Sequence, residues 1–423
     1  MNAPSSTRRT VAAGTVGNFL EWYDFAIYGY FAGTIGRTFF PAEDPVAQVL
    51  AAFGIFAVGY LMRPLGGVVI GTIADRFGRR IALIVSVTAM AVPTFLVGLL
   101  PGYHTLGMAA AVLLTLLRMI QGLSVGGEGT TSMVFLVEHA PAGQRGAIGA
   151  LASVAATGGL LLGSATGAAF AAILSPEALA AWGWRIPFLL GLLVGIAGWW
   201  LRRDVTEKAF VTIADGHAPP PSPLVETVRH HGPLVLQLAG LVAFNAVGLY
   251  LMFLYIVSWL QTVDGVAPAR ALEINTASML ALLPVMLGMG WLSDRIGRRR
   301  LLIGATTLGF VSALPLFWLM HHSHPALILA GQMGFVLTVG TCLGIMPSIM
   351  VEATPQAVRC TAIALGYNIT FGILGGLTPL AAAWLIDRTG MDLSPALMIM
   401  AASLISFTSV LAFHESDPTA PLR

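Results

Sequence analysis

Charge and cysteine are both scarce in this sequence. Only 10% of the 423 residues are charged, the net charge is +2, and Cys342 and Cys360 are the two cysteines. A charge content this low excludes an ordinary soluble domain, and two cysteines do not indicate a disulfide framework. The sequence also has no G-x-x-x-x-G-K-[ST] segment, so ATP is not expected as an energy source. No nucleophile–base arrangement suggests an enzyme.

Long apolar runs make up most of the chain. Hydrophobic residues account for 56% of it, and the mean hydropathy is +0.81. Segments of this length and composition predict membrane-spanning helices. We therefore expect an all-α membrane protein with twelve spans, at about 11–33, 46–72, 82–100, 108–137, 147–172, 186–201, 233–260, 273–293, 301–320, 325–351, 361–385 and 394–413.

A polar, proline-rich segment at 202–232 divides these spans into two sets of six. Its composition has no hydrophobic period and is typical of a linker. We therefore predict one six-helix bundle at 1–201, a cytoplasmic linker at 202–232 and a second six-helix bundle at 233–423.

Two short polar loops occur twice, once in each half. The sequence G-T-I-A-D-R-F-G-R-R at 71–80 is matched by G-W-L-S-D-R-I-G-R-R at 290–299, and E-x-x-P-x-x-x-R occurs at 138–145 and again at 352–359. These repeats indicate a duplicated chain whose inner loops carry acids and bases at helix ends. We expect those residues to control conformational gating: Asp75, Arg76, Arg79, Asp294, Arg295, Arg298, Glu128, Glu138, Arg145, Glu352 and Arg359.

The distribution of basic residues predicts the orientation. If the N-terminus is inside, 16 of the 22 lysines and arginines lie in inner segments, 4 lie in outer segments, and Arg63 and Arg118 lie within the membrane. Since positive charge concentrates on the cytoplasmic side, both termini are predicted to be cytoplasmic.

Polar side chains inside the membrane identify the candidate chemistry. Asn18, Glu21, Asp24 and Tyr28 are spaced to share one face of the first helix. Arg63 in the second helix, and Arg118 with Gln121 in the fourth, lie at comparable depths. We expect the four charged side chains and Gln121 to meet in one cavity, because buried charges in a membrane are costly unless they are paired or functional.

These two acids and two bases have two possible roles. They could form ion pairs that hold the first, second and fourth helices together. Alternatively, an arginine binds a substrate carboxylate and displaces an acid, which then takes up a proton; this linkage would produce symport. Asp24 is favoured over Glu21 as the proton carrier and Arg118 is the first choice for the substrate, whereas Arg63 could be structural.

The second half has no charged residue deep within a span. Its polar candidates for substrate binding are Asn245 and Tyr255 on the seventh span and Tyr367 and Asn368 on the eleventh. Each could instead make a helix–helix hydrogen bond. Proton coupling is therefore assigned to the first half and shape selection to the second.

The doubled loops and the six-plus-six arrangement resemble the major facilitator superfamily. Within it, G-N-F-L-E-W-Y-D-F at 17–25, R-P-L-G-G at 63–67, R-M-I-Q-G at 118–122 and G-W-R-I-P-F at 183–188 resemble the metabolite:proton symporter family. The resemblance implies transport by alternating access, with substrates such as proline, glycine betaine, α-ketoglutarate, citrate or shikimate.

We therefore expect a multi-pass protein of the bacterial inner membrane that imports a small carboxylate-bearing metabolite together with protons. An organic acid is the favoured substrate; proline or glycine betaine is the alternative, and proton-coupled drug efflux is a third possibility. We expect a functional monomer in the lipid bilayer, with no nucleic-acid partner and no cofactor besides the proton. His321, His322 and His324 are expected in an exposed turn, and no metal site is predicted.

Overall fold

The computed structural model describes residues 19, 21–41, 44–66, 69–70, 79–126, 128–138, 140–202, 227, 229–322, 324–356 and 358–413. Within these ranges the chain forms helices joined by short turns, and no strand occurs among them. Most of the predicted linker lies outside the described residues. The domain boundaries and the cytoplasmic position of the termini remain predictions.

The described residues of the first half form six helical spans. The first, α1, is helical at 21–30 and continues after Phe31 as Ala32–Phe39. The others are α2 (Pro45–Leu61), α3 (Arg79–Leu99), α4 (Met108–Ser124, followed by Glu128–Glu138), α5 (Arg145–Ile173) and α6 (Arg185–Arg202).

The second half repeats this number of spans. They are α7 (Gly232–Tyr250, a π-helical turn Leu251–Tyr255 and Ile256–Thr262), α8 (Pro268–Ile296), α9 (Arg298–Met320), α10 (Pro325–Ala353), α11 (Arg359–Ile369, a π-helical turn Thr370–Gly375 and Gly376–Thr389) and α12 (Pro395–Leu411).

Helix length and hydropathy confirm a membrane bundle. Seven helices (α2, α5 and α7–α11) are long and apolar enough to cross a bilayer, and α6 with the segment Pro176–Gly183 before it forms an eighth, bent span. The apolar helices within α3, α4 and α12 are shorter. Together with α1, they complete the predicted set of twelve. The all-α fold is therefore confirmed.

Several predicted helix ends were wrong. The first span extends to Phe39 instead of 33, and it ends where Pro41 follows, because proline and the residue before it disfavour helix. The fourth span is interrupted after Ser124, next to the glycines at 126–127, which are poor helix formers. The eleventh span runs from Arg359 to Thr389 instead of 361–385.

The two halves pack against each other most closely where α5 meets α8. A Cβ atom on Gly146 would lie 2.2 Å from the carbonyl oxygen of Gly290, and one on Gly290 would lie 2.6 Å from the carbonyl oxygen of Gly146. Only glycine permits this approach. The second copy of the repeated loop therefore contributes Gly290 to a contact between the halves.

Burial separates central helices from peripheral ones. In the most apolar 18-residue windows, 94% of α7 and 89% of α10 is buried, whereas the corresponding share of α8 and of α9 is 33%. A helix that is apolar on all sides and buried lies in the middle of a bundle. Residues on α7 are thus placed near the centre of the molecule, where the first and second halves face each other.

Candidate functional site

Asp24 of α1 lies at the centre of a buried hydrogen-bond network within the first half. Arg118 Nη1 donates to Asp24 Oδ2 at 2.7 Å, while Thr94 Oγ1 and Gln121 Nε2 donate to Asp24 Oδ1 at 2.6 and 2.8 Å. Arg118 Nη1 also donates to Gln121 Oε1 at 2.8 Å. The i, i+3 spacing of Arg118 and Gln121 on α4 directs both side chains at the same carboxylate.

The Arg118 guanidinium is enclosed by aromatic rings of the same half. Its central carbon lies 4.6 Å from the ring centre of Phe25, 4.4 Å from that of Tyr28 and 5.8 Å from that of Phe56. Arg118 is fully buried, so these cation–π contacts are shielded from water. The Tyr28 hydroxyl donates to the Ala52 carbonyl oxygen at 3.0 Å.

Glu21 and Arg63 form a second, simpler ion pair. Arg63 Nη2 donates to Glu21 Oε1 at 3.1 Å, and both side chains are buried. The Nε and Nη1 atoms of Arg63 are buried and have no hydrogen-bond partner in the structure. Hydrogen bonds therefore sort the five polar residues into two groups, Asp24 with Arg118 and Gln121, and Glu21 with Arg63. Of the five, Glu21 and Asp24 line one cavity of the first half together with Thr94.

A group of aromatic rings from both halves packs beside the second pair. We call it the inter-half aromatic cluster. The first half contributes Trp22, Phe56 and Tyr60, and the second half contributes Tyr250, Tyr367 and Phe371.

The rings of the inter-half aromatic cluster contact one another across the interface. The Tyr60 and Tyr250 ring centres are 5.2 Å apart, those of Trp22 and Phe371 are 6.1 Å apart, and Tyr367 stacks on Phe371 at 4.3 Å. Such edge-to-face and stacked pairs are favourable geometries for aromatic side chains. The cluster therefore joins the halves at their centre.

Local departures from α-helix bring the second-half rings into this position. Tyr250 immediately precedes the π-helical turn of α7, and Phe371 lies within that of α11. Gly375 and Gly376 leave room for Tyr250 and Tyr60, because a Cβ atom on either glycine would lie 2.4–2.5 Å from one of these side chains. Single π-helical turns are frequent at functional sites.

The other predicted substrate residues of the second half have protein partners. Asn245 Nδ2 donates to the Met346 sulfur at 2.8 Å, and Asn368 Nδ2 donates to the Gly126 carbonyl oxygen at 3.1 Å. Tyr255 packs on Phe53 with ring centres 5.6 Å apart. Asn368 and Tyr255 therefore contact the first half. Asn18 lies outside the described residues.

Sequence reasoning missed several residues of these groups. Thr94 was not predicted, although a hydroxyl residue halfway along an apolar span is a visible signal. Trp22, Tyr60 and Phe371 resemble ordinary core residues in the sequence, since aromatic residues in membrane helices usually pack against neighbours. Their importance depends on contacts between the two halves.

The repeated loop of the second half binds the first half at one end of the bundle. Asp294 accepts hydrogen bonds from the backbone N–H groups of Gly146 and Ala147, at 2.8 and 3.0 Å, at the start of α5. A carboxylate is favourable there because the first amides of a helix are unsatisfied and carry partial positive charge. Arg298 donates to Asp294 at 2.6 Å and to Glu352 at 3.1 Å.

A further ion pair crosses between the halves at the same end, where Arg359 donates to Glu138. Arg295 instead covers the ring of Trp291, 3.7 Å from its centre, and Arg145 is buried. Among the remaining predicted gating residues, Glu128 begins the second segment of α4 and Arg79 begins α3, but their side chains lie outside the description. Asp75 and Arg76 lie outside the described residues.

The opposite end of the bundle is closed as well. The Tyr30 hydroxyl of α1 donates to the Phe253 carbonyl oxygen at 2.7 Å, and Asn275 of α8 donates to Ser164 of α5 at 3.2 Å. The halves therefore touch on both sides of the inter-half aromatic cluster.

One histidine of the cluster after α9 makes a polar contact. His321 lies beside Asp264, and burial raises the pKa of the Asp264 carboxyl while the neighbouring His321 opposes that rise. Within the described ranges, no group of three or more histidine, cysteine, aspartate or glutamate side chains could hold a metal ion.

Comparison with known proteins identifies the family. Residues 10–204 match the family described as sugar (and other) transporter, and residues 272–422 match the major facilitator superfamily. A D-xylose–proton symporter shares the fold with a TM-score of 0.76 at 18% identity, over 96% of both chains. The inward-open xylose transporter XylE of E. coli has a TM-score of 0.70 at 16% identity, again over 96% of both chains.

Sequence relatives cover almost the whole chain. A glycine betaine/proline/ectoine/pipecolic acid transporter of Dickeya dadantii is 34% identical over 98% of this chain and 85% of its own length. The proline/betaine transporter of Salmonella typhimurium is 34% identical over 97% of this chain and 84% of its own. That of Escherichia coli K12 is 33% identical over the same shares.

These relatives correct the predicted substrate. The prediction of an organic acid was wrong, because relatives that align with nearly the entire chain are named for proline and betaine. The predictions of a multi-pass membrane transporter and of a protein without enzymatic activity are confirmed by the family and its fold. The chain belongs to the major facilitator superfamily of membrane transporters.

Proposed function

We propose that this protein imports a small zwitterionic solute of the proline or glycine betaine type together with protons. The observation that carries the substrate class is the 33–34% identity to proline/betaine transporters over 97–98% of the chain. The inter-half aromatic cluster supports it, since aromatic faces attract quaternary ammonium groups. Transport would proceed by alternating access between the two halves, as in other transporters built from structural repeats.

Proton coupling is assigned to Asp24. This carboxylate is 1% exposed and accepts three hydrogen bonds, one of them from Arg118. A buried acid that has a positively charged partner is stable in its charged form, and it becomes a proton acceptor when that partner moves away. Rearrangement of α1 against α4 would therefore exchange the ion pair for a bound proton, which leaves no unpaired negative charge in the membrane.

Gating is assigned to the contacts at both ends of the bundle. Asp294 and Arg359 connect the halves at one end, and Tyr30 and Asn275 connect them at the other. Alternating access requires one set to break while the other is kept. We expect a monomer to suffice, because both halves of the proposed path belong to one chain.

Uptake into proteoliposomes tests this proposal. Purified protein is reconstituted and supplied with labelled proline, glycine betaine or α-ketoglutarate, each with and without an inward proton gradient. We expect gradient-driven accumulation of proline or glycine betaine, and no accumulation of α-ketoglutarate. An ionophore that collapses the gradient provides the control for coupling.

Three outcomes would contradict the proposal. Accumulation of α-ketoglutarate alone would overturn the substrate class. Accumulation of proline or glycine betaine that ignores the gradient would overturn coupling to protons. If none of the compounds enters and a lipophilic cation is expelled by energised vesicles, the protein is an exporter.

A further inference from the structure

The two arginines inside the membrane have different surroundings. Among the described residues, the rings within cation–π distance of Arg118 (Phe25, Tyr28 and Phe56) belong to the first half, and so do the acceptors of its hydrogen bonds. A substrate held between the halves would meet these first-half side chains before it reached the Arg118 guanidinium.

Arg63 lies beside the contact between the halves. Its guanidinium lies 5.2 Å from the ring centre of Tyr60, and the Tyr60 ring centre lies 5.2 Å from that of Tyr250 in α7 of the second half. Arg63 is 3% exposed, and its Nε and Nη1 atoms lack hydrogen-bond partners. Buried guanidinium donors are rarely left without acceptors. The Nε and Nη2 atoms of Arg118 also lack hydrogen-bond partners, but they lie among rings of the first half. The unpartnered atoms of Arg63 lie beside the contact between the halves, where they mark a place for an acceptor that the protein itself does not supply.

We propose that the Arg63–Glu21 pair is the subsite that recognises the zwitterion, and that Asp24 and Arg118 are reserved for the proton. This inference rests on the proposed function. Arg63 binds the substrate carboxylate through its unpartnered N–H groups, in the forked geometry that arginine offers to carboxylates. The cationic end of the substrate lies between Glu21 and the rings of the inter-half aromatic cluster.

Charge balance favours a zwitterion at this subsite. In the structure the positive Arg63 and the negative Glu21 neutralise each other across one contact of 3.1 Å. A ligand with one negative and one positive end can insert between them so that each protein charge keeps an opposite partner. A di- or tricarboxylate would add net negative charge next to Glu21, which is costly in a buried site.

The ring positions fit the cationic end. Trp22 follows Glu21 directly in α1, and its ring centre lies 6.0 Å from that of Tyr250 and 6.1 Å from that of Phe371. Rings spaced in this way could surround a methylated ammonium group once the halves move apart to admit it. The unpartnered Arg63 atoms and these rings thus lie at the same interface between the halves.

Competition with an analogue that lacks the carboxylate tests the subsite. The uptake of labelled glycine betaine is measured in proteoliposomes against unlabelled glycine betaine and against choline, which keeps the trimethylammonium group and has no carboxylate. For the unmodified protein we expect glycine betaine to compete at least about 100-fold better than choline. In Arg63→Gln we expect this preference to fall below about tenfold.

The variants also separate substrate recognition from proton coupling. Arg63→Lys keeps the charge and should recover part of the preference for glycine betaine over choline. Glu21→Gln should weaken competition by glycine betaine and by choline to the same extent. The ratio of uptake with and without the proton gradient should stay unchanged in these variants. If Arg63→Gln does not fold, the double variant Arg63→Gln/Glu21→Gln removes both charges and is measured in its place.

The outcomes distinguish this inference from the proposed function. If the unmodified protein accumulates glycine betaine but Arg63→Gln keeps the full preference over choline, the subsite assignment is overturned and the proposed function stands. If Arg63→Gln retains the preference and Arg118→Lys loses it, the carboxylate is bound by Arg118. If the unmodified protein accumulates neither proline nor glycine betaine, both proposals fail.

Discussion

The two ion pairs of the first half, Asp24–Arg118 and Glu21–Arg63, each join a carboxylate to an arginine but differ in their surroundings. The first pair is sealed: Asp24 accepts three hydrogen bonds, and Arg118 is fully buried among rings of its own half. The second is held by a hydrogen bond of 3.1 Å and lies beside Tyr60, whose ring contacts Tyr250 of the other half.

This difference indicates how one transporter can keep a proton and a solute apart. A sealed pair changes only when helices within one half rearrange, whereas a pair at the interface is exposed each time the halves separate. Phe56 lies between the two, since its ring is near Arg118 and also 4.9 Å from Tyr60. Binding at the interface can therefore influence the sealed pair through a packed side chain.

Removal of Arg118 should have the largest effect on stability. Arg118→Gln leaves the Asp24 carboxylate buried without its partner, which costs about 3–5 kcal/mol. Arg63→Gln should cost less, because water reaches the interface when the halves separate. Thermal unfolding of the purified proteins in detergent measures the comparison. The double variant Asp24→Asn/Arg118→Gln should recover most of the lost stability, and equal destabilisation by Arg63→Gln would show that the pairs are equivalent.

Asp24→Asn should abolish coupling while Glu21→Gln preserves it. An amide cannot carry the proton, so we expect gradient-driven accumulation of glycine betaine to fall by about 30- to 100-fold, within the range of typical coupling free energies. Solute counterflow without a gradient should persist, because the interface is unchanged. Measurements in proteoliposomes provide both the gradient-driven accumulation and the rate of counterflow. If Glu21→Gln loses coupling and Asp24→Asn retains it, Glu21 is the proton carrier and Asp24 is not.

Thr94→Val should weaken the Asp24–Arg118 pair without breaking it. The substitution removes a hydrogen bond of 2.6 Å to Asp24 but leaves the bonds from Arg118 and Gln121, and we expect a loss of about 1–2 kcal/mol in unfolding free energy. Thr115→Val, on the partly buried Thr115 of α4, is a matched control because that hydroxyl bonds only its own helix. Equal losses in both variants would argue against a special role for Thr94.

Phe56→Leu should loosen the connection between the two pairs. The leucine side chain keeps part of the apolar volume but removes the ring that lies near Arg118 and Tyr60. We therefore expect the ratio of uptake with a proton gradient to uptake without one to fall two- to fivefold. Phe39→Leu, on α1, is the control, since the Phe39 ring packs on Trp184 of the same half. An unchanged ratio in Phe56→Leu would show that coupling does not pass through this ring.

Most of the fold could be predicted from the sequence because membrane helices obey simple rules. Length and hydropathy predicted twelve spans, and the repeated loops predicted a duplicated chain. Helix ends were less accurate: α1 extends to Phe39, and α4 is interrupted after Ser124. Such local breaks depend on glycine and proline, whose effect is modified by packing.

The candidate site could be predicted only in part. Periodicity placed Glu21 and Asp24 on one face of α1, and the cost of buried charge identified Arg63 and Arg118. The pairing of each acid with its arginine could not be derived in this way, since it depends on how α1 meets α2 and α4. Gly122 of α4 packs on the backbone of Gly59 of α2. This close approach of α2 and α4 directs Arg63 and Arg118 into separate surroundings.

By itself, the sequence determined that this protein is a duplicated helical membrane transporter with four charges buried in its first half, because hydropathy and repetition are properties of the chain alone. Only the tertiary structure decided that Asp24 pairs with Arg118, that Arg63 lies beside Tyr60, and that Tyr60, Tyr250 and Phe371 meet between the halves. The physical reason is that helix periodicity defines which residues share a face, whereas the packing of twelve helices defines which faces meet.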